Sequence, residues 1–312
     1  MIDANKPKLI IIAGPTATGK SAAAVKIAKE IGGEIISADS IQVYKGMNIG
    51  SAKVTEAEMQ GVPHHLIDVI DIDRDYNVAV FKEMASEVMK GIYARGHIPI
   101  ICGGTGFYIQ ALIYDIDFEN EDGADDKDNY RADLEKMASE GETEELKAML
   151  KEKDPKSYES LDLENTKRII RALEYMHIHN ESIYDHNERE KKKREDPPYD
   201  ISFFVLHGER QGMYDRINQR VDKMLAEGLE DEVKELKEKG LTRSSTAGQG
   251  IGYKEMLSYL DGECTLPEAA EQIKLNTRHF AKRQLTWFRR EKNTIWIDID
   301  KGDSANEIRK YL

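Results

Sequence analysis

The sequence predicts an α/β protein, a doubly wound and mostly parallel sheet that carries an inserted all-helical subdomain. Three observations lead there. Short apolar runs at Leu9-Ile10-Ile11-Ile12-Ala13, Glu34-Ile35-Ile36-Ser37 and Pro99-Ile100-Ile101-Cys102 have strand length, and stretches with helical spacing separate them. The first and third run directly into glycine-rich turns, and open α/β sheets gather ligands at such carboxyl ends of strands. Between about residues 115 and 198 the alternation stops, and charged helices are expected at 126–139, 142–153 and 163–178. The expected division is a core formed by 1–114 and 199–312, with a helical insertion at 115–198.

The first turn, Gly14-Pro15-Thr16-Ala17-Thr18-Gly19-Lys20-Ser21, fits the phosphate-loop pattern G-x-x-x-x-G-K-[ST] and sits between a strand and a helix expected over 21–31. Unpaired amides at a helix start, the helix dipole and a lysine together suit an anion. A P-loop NTPase-like core that binds a diphosphate or triphosphate is therefore expected, with Mg²⁺ on the Ser21 hydroxyl. Kinases, GTPases, ATPases and some group transferases share this loop, so the reaction has to be read from its surroundings.

Along the chain, Asp39 ends the second strand, where it suits either chemistry beside the loop or the capping of a turn. His64 and His65 invite a metal reading. Neighbours on an extended chain point to opposite sides, however, and no further ligand lies at suitable spacing, so packing or hydrogen bonding is the alternative. The apolar run Leu66-Ile67-Asp68-Val69-Ile70 follows, then a helix over 78–95. At the second glycine-rich turn, Gly103-Gly104-Thr105-Gly106, Thr105 offers a hydroxyl where the backbone is open. Inside the insertion, Lys167 and Arg171 share one helical face, with Ile169, Ile170 and Leu173 on another. The run Lys191-Lys192-Lys193-Arg194 reads equally as a linker or a contact. Pro197-Pro198 precedes a strand at 200–206 and a long helix over 213–239. On that helix Arg216 and Arg220, four apart, either clamp a diphosphate or serve solubility. Near residues 248–254 the backbone turns freely. A basic helix over 269–291 interleaves Trp287 and Phe288 with Arg278, Lys282, Arg283, Arg289 and Arg290, before a last strand at 294–298.

A net charge of −13 argues against a polyanionic partner until its distribution is considered. Residues 119–145 hold 12 acidic and 3 basic side chains, whereas 274–292 hold 7 basic and 1 acidic. One region repels nucleic acid and another suits it. No apolar run approaches the roughly 20 residues that cross a bilayer, and the first residues lack a signal-like apolar stretch, so no membrane partner and a cytoplasmic location are expected. Cys102 and Cys264 are expected to be reduced thiols, and the chain is taken to act as a monomer.

Taken together, these blocks resemble the tRNA dimethylallyltransferases (tRNA isopentenyltransferases) over nearly the whole chain. The resemblance rests on the phosphate loop, Asp39-Ser40-Ile41-Gln42-Val43-Tyr44-Lys45, the turn at 103–106, Arg168-Ile169-Ile170-Arg171-Ala172-Leu173-Glu174, Gly250-Ile251-Gly252-Tyr253-Lys254-Glu255 and the block from Thr277 to Phe288. It implies transfer of a dimethylallyl group from dimethylallyl diphosphate to N6 of the adenosine 3′ of the anticodon, with the loop holding the diphosphate leaving group, so that ATP need not be a substrate. By similarity Asp39 accepts the N6 proton and Thr105 hydrogen-bonds near the reacting atoms. Lys20, Ser21 with Mg²⁺, the loop amides and Arg216 suit the negative charge that builds on diphosphate. The resemblance places Asp39, Ser40, Ile41, Gln42 and Thr105 along the tRNA path. It adds Lys167, Arg168, Ile169, Ile170, Arg171, Gln249, Gly250, Ile251, Gly252, Tyr253 and Lys254, with Lys282 and Arg283 as backbone contacts. Ser51 stands where the family often has Thr, and the acidic run 119–128 would have to face away from RNA. An adenylate isopentenyltransferase of the cytokinin type would share the loop and the Asp, and a small-molecule kinase or a nucleotide-binding switch would share the loop alone.

Overall fold

The computed structural model describes residues 6–116 and 129–312. The chain divides into two compact units, Met1–Ile113 with Pro198–Leu312, and Tyr114–Pro197. In chain order the first unit begins with β1 (Lys8–Ala13), α1 (Lys20–Ile31), β2 (Gly33–Ala38), α2 (Glu56–Met59), β3 (His64–His65), α3 (Val78–Ala94), β4 (Ile98–Gly103) and α4 (Gly106–Ile113). The second unit holds α5 (Tyr130–Ser139), α6 (Thr143–Lys153), α7 (Pro155–Ser160), α8 (Thr166–His179) and α9 (Ile183–Lys193). The first then resumes with β5 (Asp200–His207), α10 (Arg210–Ala226), α11 (Leu229–Glu238), α12 (Tyr253–Leu260), α13 (Leu266–Phe288), β6 (Thr294–Asp298) and α14 (Ser304–Arg309).

All strand pairings are parallel, in the order β3-β2-β4-β1-β5-β6. A strand covered by helices on both faces has no polar side to present, which is why β1 reads as an unbroken apolar run. Leu9, Ile10, Ile11 and Ile12 are fully buried. With β1 between β4 and β5, the loop after it opens beside the ends of both neighbours. The second unit has its own core, in which Leu134, Leu146 and Leu150 pack with Ile169, Ile170 and Leu173.

The fold departs from expectation at several elements. The helix expected over 213–239 is two helices, because Gly228 adopts φ 100°, ends α10 and caps α11. The free-turning stretch near 248–254 yields α12, which Gly252 starts at φ 98° with its amide donating to Glu255. The run 66–70 bends instead of extending, since Leu66 and Asp68 take positive φ. On the edge of β2 away from β4, the residues that pair with it are the histidines themselves. Lys191 and Lys192 belong to the end of α9 rather than to a linker. The acidic run 119–128 and the first residues of the helix expected at 126 lie outside the described residues.

The histidines serve hydrogen bonding at the end of the sheet away from the loop. Glu34, 2% exposed, accepts from Arg95 through both oxygens (2.9 and 2.7 Å), from His65 Nε2 (2.7 Å) and from His97 Nδ1 (2.7 Å). The Arg95 guanidinium, with the two imidazoles, holds this carboxyl well down, from 4.5 to about 2. A carboxyl depressed by folding adds stability above its unfolded value and loses it as pH falls toward the folded one. The urea midpoint of the wild type should therefore drop between about pH 5 and pH 2, and Glu34→Gln should be less stable at pH 6 with a flatter acid limb. Parallel acid limbs in the two proteins would remove Glu34 from this role.

Candidate active site

The phosphate loop takes its shape from backbone and its hold from three side chains. Gly19 adopts φ 77° as the cap of α1 and offers no side-chain acceptor, so the first amides of the helix stay open to a ligand. Within the loop, Thr18 Oγ1 (2.8 Å) and Lys20 Nζ (2.7 Å) donate to the Pro15 carbonyl, an acceptor in a residue with no amide of its own. From outside, Gln284 of α13 reaches in, 6% exposed. Its Oε1 accepts from the Thr16 amide (3.1 Å) while its Nε2 donates to the Gly104 carbonyl (3.0 Å), joining the two glycine-rich turns. Neighbouring backbone requires glycine at position 103, and at position 104 a side chain would displace the Gln284 bridge. A β-carbon on Gly103 would stand 2.2 Å from the Ala38 carbonyl oxygen, and one on Gly104 would stand 2.0 Å from Gln284 Nε2.

These turns open on a cavity of about 480 Å³ inside the first unit. Thr16, Lys20 and Ser21 form its phosphate-loop wall, with Asp39 and Thr105 on the adjoining strand ends. Asp39 caps a turn and keeps one oxygen open to the cavity side. Its Oδ1 accepts from the amides of Ile41 (2.9 Å) and Gln42 (3.2 Å), closing a turn, while Oδ2 has no hydrogen bond among the described residues. A carboxylate fixed by one oxygen and open at the other can orient and still accept a proton. Thr105 is held through its own amide, which donates to Ala38 (3.3 Å). Burial pushes the Lys20 ammonium down from 10.5 to about 8, and diphosphate oxygens would raise it again by favouring the charged form. Burial also pushes the Cys102 thiol beneath the loop up to about 11, so it stays neutral.

Several expected residues line the cavity and others do not. Ser40, Ile41, Gln42, Gln249, Gly250, Ile251, Lys254 and Arg283 line it with Asp39. Of Arg216 and Arg220 on α10, the wall contains Arg220, whose Nη1 reaches Thr16 Oγ1 (3.5 Å). Arg216 is one turn away from that wall and lies 3.5 Å from Asp300. Tyr253 is fully buried, donates to Glu232 (2.8 Å) and packs on Gly50, so with the capping Gly252 it supports the wall without forming it. In the second unit Ile169 (0%) and Ile170 (4%) belong to the core, because the apolar face of α8 must be covered; Lys167, Arg168 and Arg171 are exposed. On α13, Arg278 donates to Asn218 (2.6 Å) and Lys274 pairs with Asp222 (2.8 Å), whereas Lys282 and Arg283 are exposed.

Three contributors escaped the reading of the sequence. Gln284 belongs to the block from Thr277 to Phe288, where the sequence assigns it no role of its own. Glu232 accepts from the amides of Asn48, Ile49 and Gly50 (2.7 to 3.0 Å) and so fixes the loop that forms part of the wall. An apolar side formed by Ile217, Val221 and Met224 of α10 with Ile273 of α13 faces the same cavity, and only the helix pairing brings them together. For a metal, the residues that fit are oxygen donors. Ser21 lines the cavity beside the loop, and no group of three His, Cys, Asp or Glu ligands exists among the described residues. Mg²⁺ commonly binds in this way, through one or two protein oxygens plus substrate phosphates.

Fold and site together define a P-loop α/β enzyme in which a phosphate cradle and a carboxylate share one pocket. The chain belongs to the IPP transferase family, whose model matches residues 42–291. It is 48% identical over 300 residues to a tRNA dimethylallyltransferase of Lachnoclostridium phytofermentans, covering 96% of this chain and 94% of that protein. Among solved structures it is similar to the tRNA isopentenylpyrophosphate transferase of Bacillus halodurans, at 42% identity and TM-score 0.72 over 98% of this chain and 94% of that one. It is also similar to a eukaryotic dimethylallyltransferase acting on tRNA, at 26% identity and TM-score 0.78 over 94% of this chain and 74% of that one.

The bridge made by Gln284 generates a prediction. Gln284→Ala removes both of its hydrogen bonds and leaves the buried Gly104 carbonyl and the half-buried Thr16 amide unpaired, at a cost of about 1–3 kcal/mol in stability. Pyrophosphate affinity, read by titration calorimetry, should fall about tenfold, and an unchanged affinity would show that the loop keeps its shape without the bridge.

Proposed function

We propose that this chain transfers a dimethylallyl group from dimethylallyl diphosphate to N6 of the adenosine 3′ of the anticodon in tRNA, giving N6-isopentenyladenosine and diphosphate. The observation that carries the reading is that Asp39, with one free carboxylate oxygen, and the phosphate loop open on the same cavity. A donor whose diphosphate lies on the loop can present its allylic carbon to a nucleophile held at Asp39.

Departure of diphosphate builds negative charge on the oxygens of the breaking C–O bond. The α1 amides, Lys20 and Arg220 stabilise that charge in a setting with little competing water. Ser21 is the residue that would hold Mg²⁺, which when bound supplies further positive charge to those oxygens. The exocyclic amine of adenine is a weak nucleophile because its lone pair is delocalised into the ring. As the N6–C bond forms, the electron pair of the C–O bond leaves with diphosphate and the N6 proton passes to Asp39 Oδ2. An adenine stacked in RNA cannot reach this pocket, so the base must be extruded into it. The RNA around it is held by its shape and phosphates, for which Lys282, Arg283, Lys167, Arg168 and Arg171 are suited by charge and exposure. The apolar side of the cavity at Ile217, Val221 and Ile273 suits a branched five-carbon chain.

The direct test is incubation with labelled dimethylallyl diphosphate and unmodified tRNA, followed by nucleoside analysis. Isopentenyladenosine is expected, and absence of label from adenosine would reject the reading. Asp39→Ala should retain donor affinity and lose about 10²–10⁴-fold in turnover, the usual size of a general-base contribution. Unaltered transfer would take the proton-acceptor role away from Asp39. Lys282→Glu with Arg283→Glu should weaken tRNA binding and reduce its dependence on salt, as loss of phosphate contacts requires. Equal affinity and slope in filter binding would place the RNA elsewhere.

A further inference from the structure

The cavity contains a hydroxyl that the chemistry above does not use. Tyr76, just before α3, is 2% exposed and lines the cavity, yet its Oη is buried with no hydrogen-bond partner among the described residues. Its neighbours do find partners. Tyr44 donates to the Arg74 carbonyl (3.1 Å) and Tyr108 to the Tyr76 carbonyl (3.3 Å). Edge-on contacts with both rings, at centroid separations of 6.4 and 5.7 Å, hold the Tyr76 ring between its two neighbours. Buried polar groups are nearly always paired, so an orphan at a ligand cavity implies a partner that arrives with the ligand. Burial, with Tyr108 and the Asp39 carboxylate, raises its pKa far above the ordinary value, so the hydroxyl keeps its proton and can donate.

The geometry points to Tyr76 as the residue that reads the acceptor base, its hydroxyl donating to N1 of the adenine whose N6 faces Asp39. The open oxygen of Asp39 is an acceptor and Tyr76 Oη is a donor, which complements the edge of adenine, where an N6–H donor adjoins the N1 acceptor. Guanine presents the reverse, an O6 acceptor beside an N1–H donor, and would oppose both groups. A site whose buried polar groups are left unpaired by the wrong substrate discriminates strongly against it.

This inference rests on the proposed prenyl transfer, and the test separates the two. Wild type and Tyr76→Phe are assayed with anticodon stem-loop RNA carrying either adenosine or 1-deazaadenosine, in which N1 is a C–H, at the target position. Wild-type kcat/KM should fall about tenfold or more on 1-deazaadenosine. Tyr76→Phe should fall by a similar factor on adenosine and lose nothing further on the deaza base, because the same hydrogen bond is already missing. Donor affinity should be unchanged, and the Tm of Tyr76→Phe should equal or exceed that of wild type, since an unpaired hydroxyl is removed from the interior. Full activity of Tyr76→Phe, losses that multiply, or a lowered Tm would each overturn the assignment while wild-type transfer, and with it the proposed function, stands. A wild type that does not prenylate the adenosine RNA removes both.

Discussion

The site depends on how closely three strand ends can approach one another. At Gly103 the backbone of β4 comes so near the end of β2 that a β-carbon would meet the Ala38 carbonyl at 2.2 Å, and one residue later Gln284 occupies the space a side chain would need. This contact sets Asp39, at the end of β2, and Thr105, at the end of β4, on one side of the loop that follows β1. The Gln284 carboxamide then joins loop and turn through a bond at each end. Parallel pairing delivers the three ends to the same edge of the sheet, and small residues allow them to close on a common space.

That closeness has an electrostatic consequence. Lys20 is partly stripped of water, and burial disfavours the charge of Arg220 as well. Asp39 is the acidic group that favours both cations. On the proposed reading, a diphosphate would add negative charge where cations are poorly solvated and so relieve the desolvation penalty that those cations carry. The same shielding from water increases the effect of each donor on the departing group. Supports such as Glu232, which gathers three consecutive amides, keep the wall in place from a helix outside the cavity.

Much of the core was legible because its signals are local. The phosphate loop, the strand before it and the helix after it follow from consecutive residues, as do Asp39 and Thr105 at strand ends. What escaped is set by contacts between distant segments. Choosing Arg220 over Arg216 depends on the rotation of α10 against α13, which a spacing of four cannot reveal. The clamp by Gln284 joins residues 268 positions apart. Gly228 broke a helix that periodicity would have continued, because a positive φ at one glycine is invisible to the pattern on either side. Ile169 and Ile170 lie in a block whose charged neighbours are exposed, and it took the core of the second unit to assign the two isoleucines to packing.

On the proposed reading, one cavity takes both the diphosphate of a prenyl donor and the carboxylate that receives the acceptor's proton. A crystal structure with dimethylallyl thiodiphosphate, a donor analogue slow to ionise, tests it most directly. Diphosphate oxygens are expected on the amides at the start of α1 and on Lys20, with the allylic carbon turned toward Asp39. Diphosphate bound away from the 14–21 loop, or a chain directed away from Asp39, would contradict it.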